Sequence, residues 1–208
     1  MDKIIITINR EFCSGGNYVG KQLSEKLGVP FYDKELVNLA AKEAGYAEAT
    51  FEKVDEIATN SLLYSLIMGV HNSTQTGILP DNDKLFAIQA DIIRKAAEKG
   101  SAVILGRCSN YILREEKKLL RIFLKGDMEH RIARYEKVYG KPEKDSIETI
   151  LEKKDKKRAS YYKFYTGNRW DDINNYDLVI NTSKIGFDNT TEVIMDYINK
   201  ILIICYIT

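Results

Sequence analysis

The stretch "IIITINREFCSGGNYVGKQLSEKLG" (residues 4–28) contains three structural signals in succession. An apolar, β-branched run typical of a buried strand gives way to a loop of serine and glycine. Apolar residues then recur with helical spacing as far as Gly28, a residue type that often ends helices. Such a junction binds anions, because backbone N–H groups and the helix dipole face the loop. The stretch predicts a phosphate-binding loop, with an ordinary tight turn as the alternative.

The positive charge of this loop is hard to place. Read literally, "GGNYVGKQ" (15–22) matches the pattern G-x-x-x-x-G-K. This match would place Lys21 inside a segment that already has helical spacing. A loop that begins directly after the strand instead puts Gly16 and Asn17 where the lysine would stand. Arg10 is then the nearest candidate for the missing charge.

The rest of the chain alternates between strand-length and helix-length segments. Each run of the first kind is short and rich in β-branched residues, and these runs fall at 3–8, 29–32, 102–105, 119–124 and 177–181. Helical spacing is found at 17–27, 33–45, 48–70, 82–100, 127–140, 145–167 and 189–200, the last with Asn189 and Glu192 spaced like a capping box. This alternation predicts a parallel sheet covered by helices on both faces. Ligands of such sheets bind beyond the carboxyl ends of the strands.

Composition excludes several classes of function. The net charge of +1 argues against binding to nucleic acid or to an anionic membrane. Three scattered cysteines and two histidines argue against a disulfide framework or a metal site, and they fit a reducing cytoplasm. The apolar tail "ILIICYI" (201–207) is far shorter than the ~20 residues of a spanning helix. We expect it to pack on the protein or on a partner, which leaves a homodimer open.

The opening stretch resembles the start of the cytidylate kinase-like proteins, a branch of the P-loop nucleoside monophosphate kinases. The resemblance covers about residues 3–199 in the family's order. It continues in "VILGRCSNYIL" (103–113), "RIFLKGDMEHRIAR" (121–134), "KKDKKRASYYKFYTGNRWDD" (153–172) and "YDLVINTSKIGFDNTTEVIMDYI" (176–198).

The resemblance implies a three-layer α/β P-loop kinase fold, with a five-stranded parallel sheet flanked by helices, a helical insert and a lid. It implies transfer of the γ-phosphate of ATP to a nucleoside monophosphate, with Mg²⁺ bound mainly through the phosphates. We expect one kinase-like domain, with its core at 1–45, 99–127 and 175–208, an acceptor-binding insert at 46–98 and a lid region at 128–174. Three features depart from cytidylate kinases: the loop lacks its lysine, Tyr18 replaces a hydroxyl residue near the magnesium, and the insert shows no obvious cytidine-recognition pattern.

Two residues at strand ends are candidates for binding the acceptor. Arg107 lies in a "GR" pair after a strand, which faces the acceptor phosphate in the family, and its planar fork can hold a phosphate through two hydrogen bonds. Pairing with a carboxylate at a helix end is the alternative. Asp33 matches an acidic position that could orient the acceptor sugar or phosphate-bound magnesium, and it could equally be a helix N-cap.

The lid region supplies further candidate cations. Arg131 and Arg134 lie three residues apart on one predicted helical face and could close over the transferring phosphoryl group. Lys154, Asp155 and Arg158 are carried over from the resemblance, with Asp155 placed to hold Arg158. A solvated basic face is the alternative for Arg131 and Arg134. For the second group a nucleic-acid patch is the weaker interpretation, because the net charge is near zero.

These considerations give three sets of site residues. We predict catalytic roles for Arg107, Arg131, Lys154 and Arg158, ATP binding by Arg10, Cys13, Ser14, Gly15, Gly16, Asn17, Tyr18 and Arg134, acceptor binding by Asp33, Arg107 and Asp155, and no direct metal ligand. The leading hypothesis is a kinase acting on CMP, dCMP or a similar small acceptor. A nucleotide-binding protein with little or no activity, acting as a sensor or interaction module, is the alternative, and an acceptor that is not a nucleotide stays open. Trp170 could stack on a base or simply pack against the sheet.

Overall fold

A computed structural model describes residues 3–33 and 81–205 of the chain. The helices predicted at 33–45 and 48–70, and most of the expected acceptor-binding insert, lie outside the described residues. The domain boundaries therefore stay a prediction. No helix in the described part of the chain is both long enough and apolar enough to cross a bilayer.

Five strands and six α-helices make up the described structure. The strands are β1 Ile5–Arg10, β2 Phe31–Tyr32, β3 Ala102–Leu105, β4 Leu119–Lys125 and β5 Leu178–Asn181. The helices are α1 Gly16–Leu27, α2 Asp81–Glu98, α3 Ser109–Ile112, α4 Met128–Tyr139, α5 Ile147–Thr166 and α6 Thr182–Cys205.

All strand pairs are parallel, and the order across the sheet is β2-β3-β1-β4-β5. The predicted five-stranded parallel sheet flanked by helices is confirmed. β1 is the central strand and pairs with β3 on one side and β4 on the other. Its carboxyl end therefore opens in the middle of the sheet edge, flanked by the ends of β3 and β4.

Successive residues of β1 point into two different cores. Ile6 and Ile8 pack in one cluster with Leu23 of α1 and Ile194 of α6. Ile5 packs in the other cluster with Ile93 of α2 and with residues of α3 and α5. Since a strand buried on both faces needs apolar residues throughout, this arrangement explains the unbroken apolar run at the start of the chain. It also places helices on both faces of the sheet.

The predicted helix start at Asn189 is wrong. α6 begins directly after β5, where the Asn181 side chain accepts a hydrogen bond from the Ser183 amide (3.1 Å) in the manner of an N-cap. Asn189 lies within the helix and donates to the Ile185 carbonyl oxygen (2.8 Å). A break at Gly186, with φ 77° and ψ 171°, divides α6 into two helical segments, and the second begins shortly before the predicted start.

Candidate active site

The loop between β1 and α1 turns through left-handed backbone at two positions. Cys13 has φ 64°, and Gly15, which precedes the first residue of α1, has φ 87°. The Ser14 hydroxyl lies 2.9 Å from the Glu11 carbonyl oxygen and 3.0 Å from that of Leu124. The side chain therefore holds the loop against the end of β4. Alternating backbone hand of this kind forms anion-binding concavities.

Several backbone amides of this loop have no protein acceptor. Within residues 3–33 and 81–205, this is true of Cys13, Gly15, Gly16, Asn17 and Tyr18. The first helical hydrogen bond runs from the Val19 amide to the Gly15 carbonyl oxygen (3.0 Å). Orphan N–H groups at a helix start, together with the positive end of the helix dipole, favour an anion there.

A buried arginine ties the loop to α4 and α5. Arg131 of α4 is 5% exposed. Its Nε donates to the Phe12 carbonyl oxygen (2.8 Å), its Nη2 pairs with Asp155 of α5, and its Nη1 lies 3.5 Å from Glu11. Asp155 also accepts a hydrogen bond from the Phe12 amide (2.7 Å), and Glu11 accepts one from the Gly126 amide (2.8 Å). We call this group, Glu11, Phe12, Arg131 and Asp155, the loop clip.

The loop borders a cavity of about 240 Å³, here called the loop cavity. Its lining includes Gly15, Gly16, Asn17 and Asp33, together with Arg134 of α4. The half-buried Arg134 guanidinium lies 4.4 Å from the ring centroid of Phe187, at the start of α6. Arg131 and Arg134 therefore lie on the same helix in different surroundings, since Arg131 is enclosed by carboxylates and Arg134 faces the cavity.

A second cavity of about 270 Å³, here called the rim cavity, lies beside the ends of β1 and β3. Its lining includes Tyr161, Trp170 and five cations, which are Arg10, Arg107, Lys154, Lys157 and Arg158. The structure brings both sets of predicted cations, from β3 and from α5, to this one cavity. Acids are absent from its described lining, so a ligand that fits it carries negative charge.

The floor of the rim cavity is a hydrogen-bonded network of neutral side chains. The Asn9 amide nitrogen donates to Asn110 Oδ1 and to the Tyr176 hydroxyl, both at 3.1 Å. The Asn110 amide nitrogen in turn donates to the Tyr162 hydroxyl (2.9 Å). Because each of these buried groups has a partner, the network fixes the floor of the cavity without adding a charge. Sequence reasoning missed it, since its members come from four separate elements.

The two cavities share a wall formed by Arg10, Phe12, Leu105 and Arg158. Arg158 Nη1 donates to the Arg10 carbonyl oxygen (3.2 Å) and lies 3.5 Å from Asp155 Oδ1. The Arg158 guanidinium also stands 5.1 Å from the Phe12 ring centroid. Burial lowers the pKa of Arg158, with the neighbouring Asp155 opposing the shift. The expected pairing of Asp155 with Arg158 is present, but Asp155 is shared with Arg131.

Arg107 is presented by a strained turn at the end of β3. Gly106, Arg107 and Cys108 all have left-handed backbone, with φ of 77°, 57° and 56°. Residues other than glycine adopt this conformation rarely, and such strain concentrates at functional sites. The turn sets the Arg107 guanidinium 6.0 Å from the Tyr161 ring centroid, at the edge of the rim cavity.

Tyr18 and Lys21, the other residues considered for the loop, point elsewhere. The Tyr18 hydroxyl donates to Asp188 of α6 (2.8 Å), so its backbone amide rather than its side chain faces the loop. Lys21 is exposed in α1, as expected if the literal lysine motif is a coincidence. Trp170 is 7% exposed and packs edge-on against Phe123 at 5.0 Å, although it also reaches the rim cavity.

Proteins similar to this chain are known at the level of family, sequence and fold. The model of the cytidylate kinase-like family matches residues 5–184. A cytidylate kinase from Pyrococcus horikoshii is 26% identical over 187 residues, or 88% of this chain and 82% of that protein. An uncharacterized protein from Eubacterium ventriosum superposes with a TM-score of 0.73 at 32% identity, covering 96% of this chain and 99% of the other. Shikimate kinase from Acinetobacter baumannii has a TM-score of 0.55 at 15% identity, covering 96% and 94%, which shows a shared fold alone.

Proposed function

Because this chain belongs to the cytidylate kinase-like family, we propose that it transfers the γ-phosphate of ATP to a nucleoside monophosphate such as CMP or dCMP. The observation that carries the proposal is the pairing of two cavities across one arginine-bearing wall. One cavity is bordered by orphan backbone amides and the other by cations. A phosphoryl group that passes between two bound nucleotides needs such an arrangement.

In this proposal the loop cavity takes ATP. Its amides donate to the phosphate oxygens, and Cys13, Ser14 and Gly15 supply the turn that exposes them. The flat Arg134 guanidinium, already against an aromatic ring, is placed to contact the nucleotide outside the phosphates. The loop clip holds the amides in a fixed geometry, and this is the role we propose for Arg131 and Asp155.

The rim cavity takes the acceptor. Arg107 binds its phosphate, and Lys154 with Arg158 neutralises the charge that accumulates when two phosphates approach each other. Its cationic lining and modest size suit a nucleoside monophosphate better than a neutral sugar or a polymer. Asp33, whose Oδ2 lies 3.5 Å from the Asn17 side-chain nitrogen, stands on the donor side, where it can orient bound magnesium.

The chemistry requires positioning and charge rather than a covalent intermediate. An oxygen of the acceptor phosphate forms a bond to the γ-phosphorus while the bond to the β–γ bridging oxygen breaks, and its electron pair stays on departing ADP. That acceptor oxygen is largely unprotonated at neutral pH, so no general base is needed. Magnesium would be bound mainly through the phosphates and neutralise part of their charge. In the part of the chain that the structure describes, no cluster of acidic, histidine or cysteine side chains could hold a metal.

A coupled assay with ATP, magnesium and a panel of nucleoside monophosphates tests the proposal. We expect turnover with CMP or dCMP and a loss of roughly 100-fold in kcat/KM for Arg107→Ala. Arg114→Ala is the matched control, because the Arg114 guanidinium lies outside both cavities and donates to the Tyr111 carbonyl oxygen. An equal loss of kcat/KM in the two variants, or no loss in Arg107→Ala, would contradict the role of Arg107 in binding the acceptor phosphate.

A second candidate function is nucleotide binding without significant turnover. Gly16 favours this function. It is the first residue of α1, and it stands where a phosphate loop that begins directly after the strand would have its lysine. In that case calorimetry would show ATP binding while every acceptor in the panel fails to be phosphorylated. An acceptor outside the nucleotides would instead leave ATP binding intact with no nucleoside monophosphate altering the melting temperature.

A further inference from the structure

The phosphate loop of this protein receives no positive side chain from the residue that would normally supply it. Phosphate loops of this class present an ammonium to the β- and γ-phosphates from the first turn of the helix. Here that position is Gly16, and Lys21 is exposed one turn further along α1. The amides alone would have to hold a highly charged triphosphate.

The side chain of Arg10 occupies the space left by this missing lysine. Arg10 is the last residue of β1, and its chain passes directly over the Gly16 backbone. A Cβ atom on Gly16 would stand 2.6 Å from Arg10 Cγ, so the Arg10 side chain would have to shift, and 3.0 Å from Arg10 Cβ, which is a tight contact. At the other end, a Cβ on Gly106 would overlap Arg10 Nη1. Arg10 therefore packs against two glycines, Gly16 at the start of α1 and Gly106 after β3.

The Arg10 guanidinium ends in the shared wall, between the loop cavity and the rim cavity. Burial lowers its pKa well below the usual range, and the neighbouring Arg158 and Arg107 lower it further. Asp33 and Asp155 oppose this shift only in part. Like charges held together in a half-buried position are unfavourable in the free protein, and they become favourable when an anion lies among them.

We propose that Arg10 is the phosphate-loop cation of this protein, replacing the absent lysine from the strand side, and that it binds the γ-phosphoryl group as it passes between the cavities. Gly16 leaves room for the stem of Arg10, and Gly106, whose positive φ already favours glycine, leaves room for its guanidinium. This inference rests on the proposed function, since it assumes that ATP occupies the loop cavity. It assigns the charge of the loop to the strand preceding it rather than to its helix.

The affinities for ATP and ADP, measured by calorimetry with a non-hydrolysable ATP analogue in place of ATP, test the inference without turnover. The variant Arg10→Met keeps the apolar stem and removes the charge. We expect the preference for the ATP analogue over ADP to fall by roughly 10- to 100-fold, because the lost contact is a charge-assisted one to the γ-phosphate. Arg10→Lys should retain part of that preference. Arg114→Met, the control arginine outside the cavities, should retain all of it.

The packing of Arg10 against Gly16 gives a second, independent test. Gly16→Ala should reduce the preference for the ATP analogue, because the new methyl group displaces Arg10. In an Arg10→Ala background, Gly16→Lys should restore part of it, since a lysine can then occupy the vacated space. The same Gly16→Lys change in the native protein should lower the preference for the ATP analogue. A double-mutant cycle that shows no coupling between positions 10 and 16 would overturn the inference.

These measurements separate the inference from the function on which it rests. Binding of both nucleotides with an unchanged preference in Arg10→Met would overturn the role of Arg10 and leave the proposed kinase intact. Absence of nucleotide binding in the native protein would overturn both. A collapse of the preference with ADP affinity retained supports the inference, and thermal unfolding of each variant verifies that the protein is folded.

Discussion

Two arginines reach the phosphate loop from opposite sides, and their surroundings differ. Arg131 comes from α4 and is enclosed by Glu11 and Asp155, so its charge is balanced within the protein. Arg10 comes from β1 and lies near Arg107 and Arg158, so its surroundings are rich in like charge. Arg131 therefore holds the loop in place, whereas Arg10 gives it a positive charge that an anion can balance.

This contrast separates structural charge from functional charge around one loop. Removing one member of a buried, paired group leaves an uncompensated charge and costs stability. Removing one member of a like-charged group relieves repulsion and costs ligand binding. In the free protein, mutations in the loop clip should therefore lower the free energy of unfolding, whereas removal of a charge from the shared wall should leave it unchanged or raise it.

The largest effect should come from breaking the loop clip. We expect Asp155→Asn to lower the free energy of unfolding by about 3 kcal/mol, because Arg131 then keeps a single, more distant carboxylate in a buried position. Chemical denaturation measures this loss. Arg121→Met, which breaks the more exposed pair with Asp177, serves as the control and should cost less than about 1 kcal/mol. Equal losses in the free energy of unfolding for the two variants would mean that the loop clip stabilises the protein no more than a surface ion pair does.

The next effect is stabilisation by an inorganic polyphosphate. Tripolyphosphate at ten times its dissociation constant should stabilise the native protein by about 1.4 kcal/mol, because it binds the folded state alone. At the same concentration, Arg10→Met should be stabilised much less, whereas the control Arg114→Met should match the native protein. Thermal shift assays at constant ionic strength measure all three. A shift that survives unchanged in Arg10→Met would place the anion away from the shared wall.

A smaller effect, of opposite sign to that at the clip, should appear in the free protein. We expect Arg10→Met to leave the free energy of unfolding unchanged or to raise it by up to about 1 kcal/mol, since the half-buried like charge disappears while the stem is retained. Denaturation in a buffer free of multivalent anions is the measurement. A loss comparable to that of Asp155→Asn would mean that Arg10 is as structural as Arg131.

The smallest effect concerns an exposed ion pair at the same sheet edge. Hydrogen bonds from Lys184 and Asn181 hold the pKa of Asp127 below its ordinary value. A carboxylate whose pKa is depressed on folding contributes stability above its unfolded pKa, and this contribution is lost as the pH falls through the folded value. Lys184→Met should move the Asp127 pKa upward in an NMR titration. An unmoved pKa would show that Asn181 alone sets it.

The sequence predicts the sheet and the position of the loop better than the roles of the arginines. The β-branched runs and the Gly28 helix end are local signals, and both appear in the structure. The pairing of Arg131 with Asp155 joins two helices, and the contact of Arg10 with Gly106 joins two strand ends. Nothing in local spacing reveals such contacts, because they depend on how the chain returns to the same sheet edge.

Local patterns also mislead where two competing signals are present. The helix predicted from Asn189 and Glu192 is present after the break at Gly186, but Asn189 does not cap it, because its side chain donates to the Ile185 carbonyl oxygen. The strained turn at Arg107 is equally hidden, since only backbone angles show that a residue other than glycine is left-handed there. The predicted roles of the site residues and a cytoplasmic location stay predictions.

A crystal structure with a non-hydrolysable ATP analogue, magnesium and CMP tests the central claim most directly. We expect the β- and γ-phosphates on the amides of Gly15, Gly16 and Asn17, with the γ-phosphate against Arg10 and the acceptor phosphate at Arg107. Nucleotide bound elsewhere, or a γ-phosphate turned away from the wall between the two cavities, would contradict it.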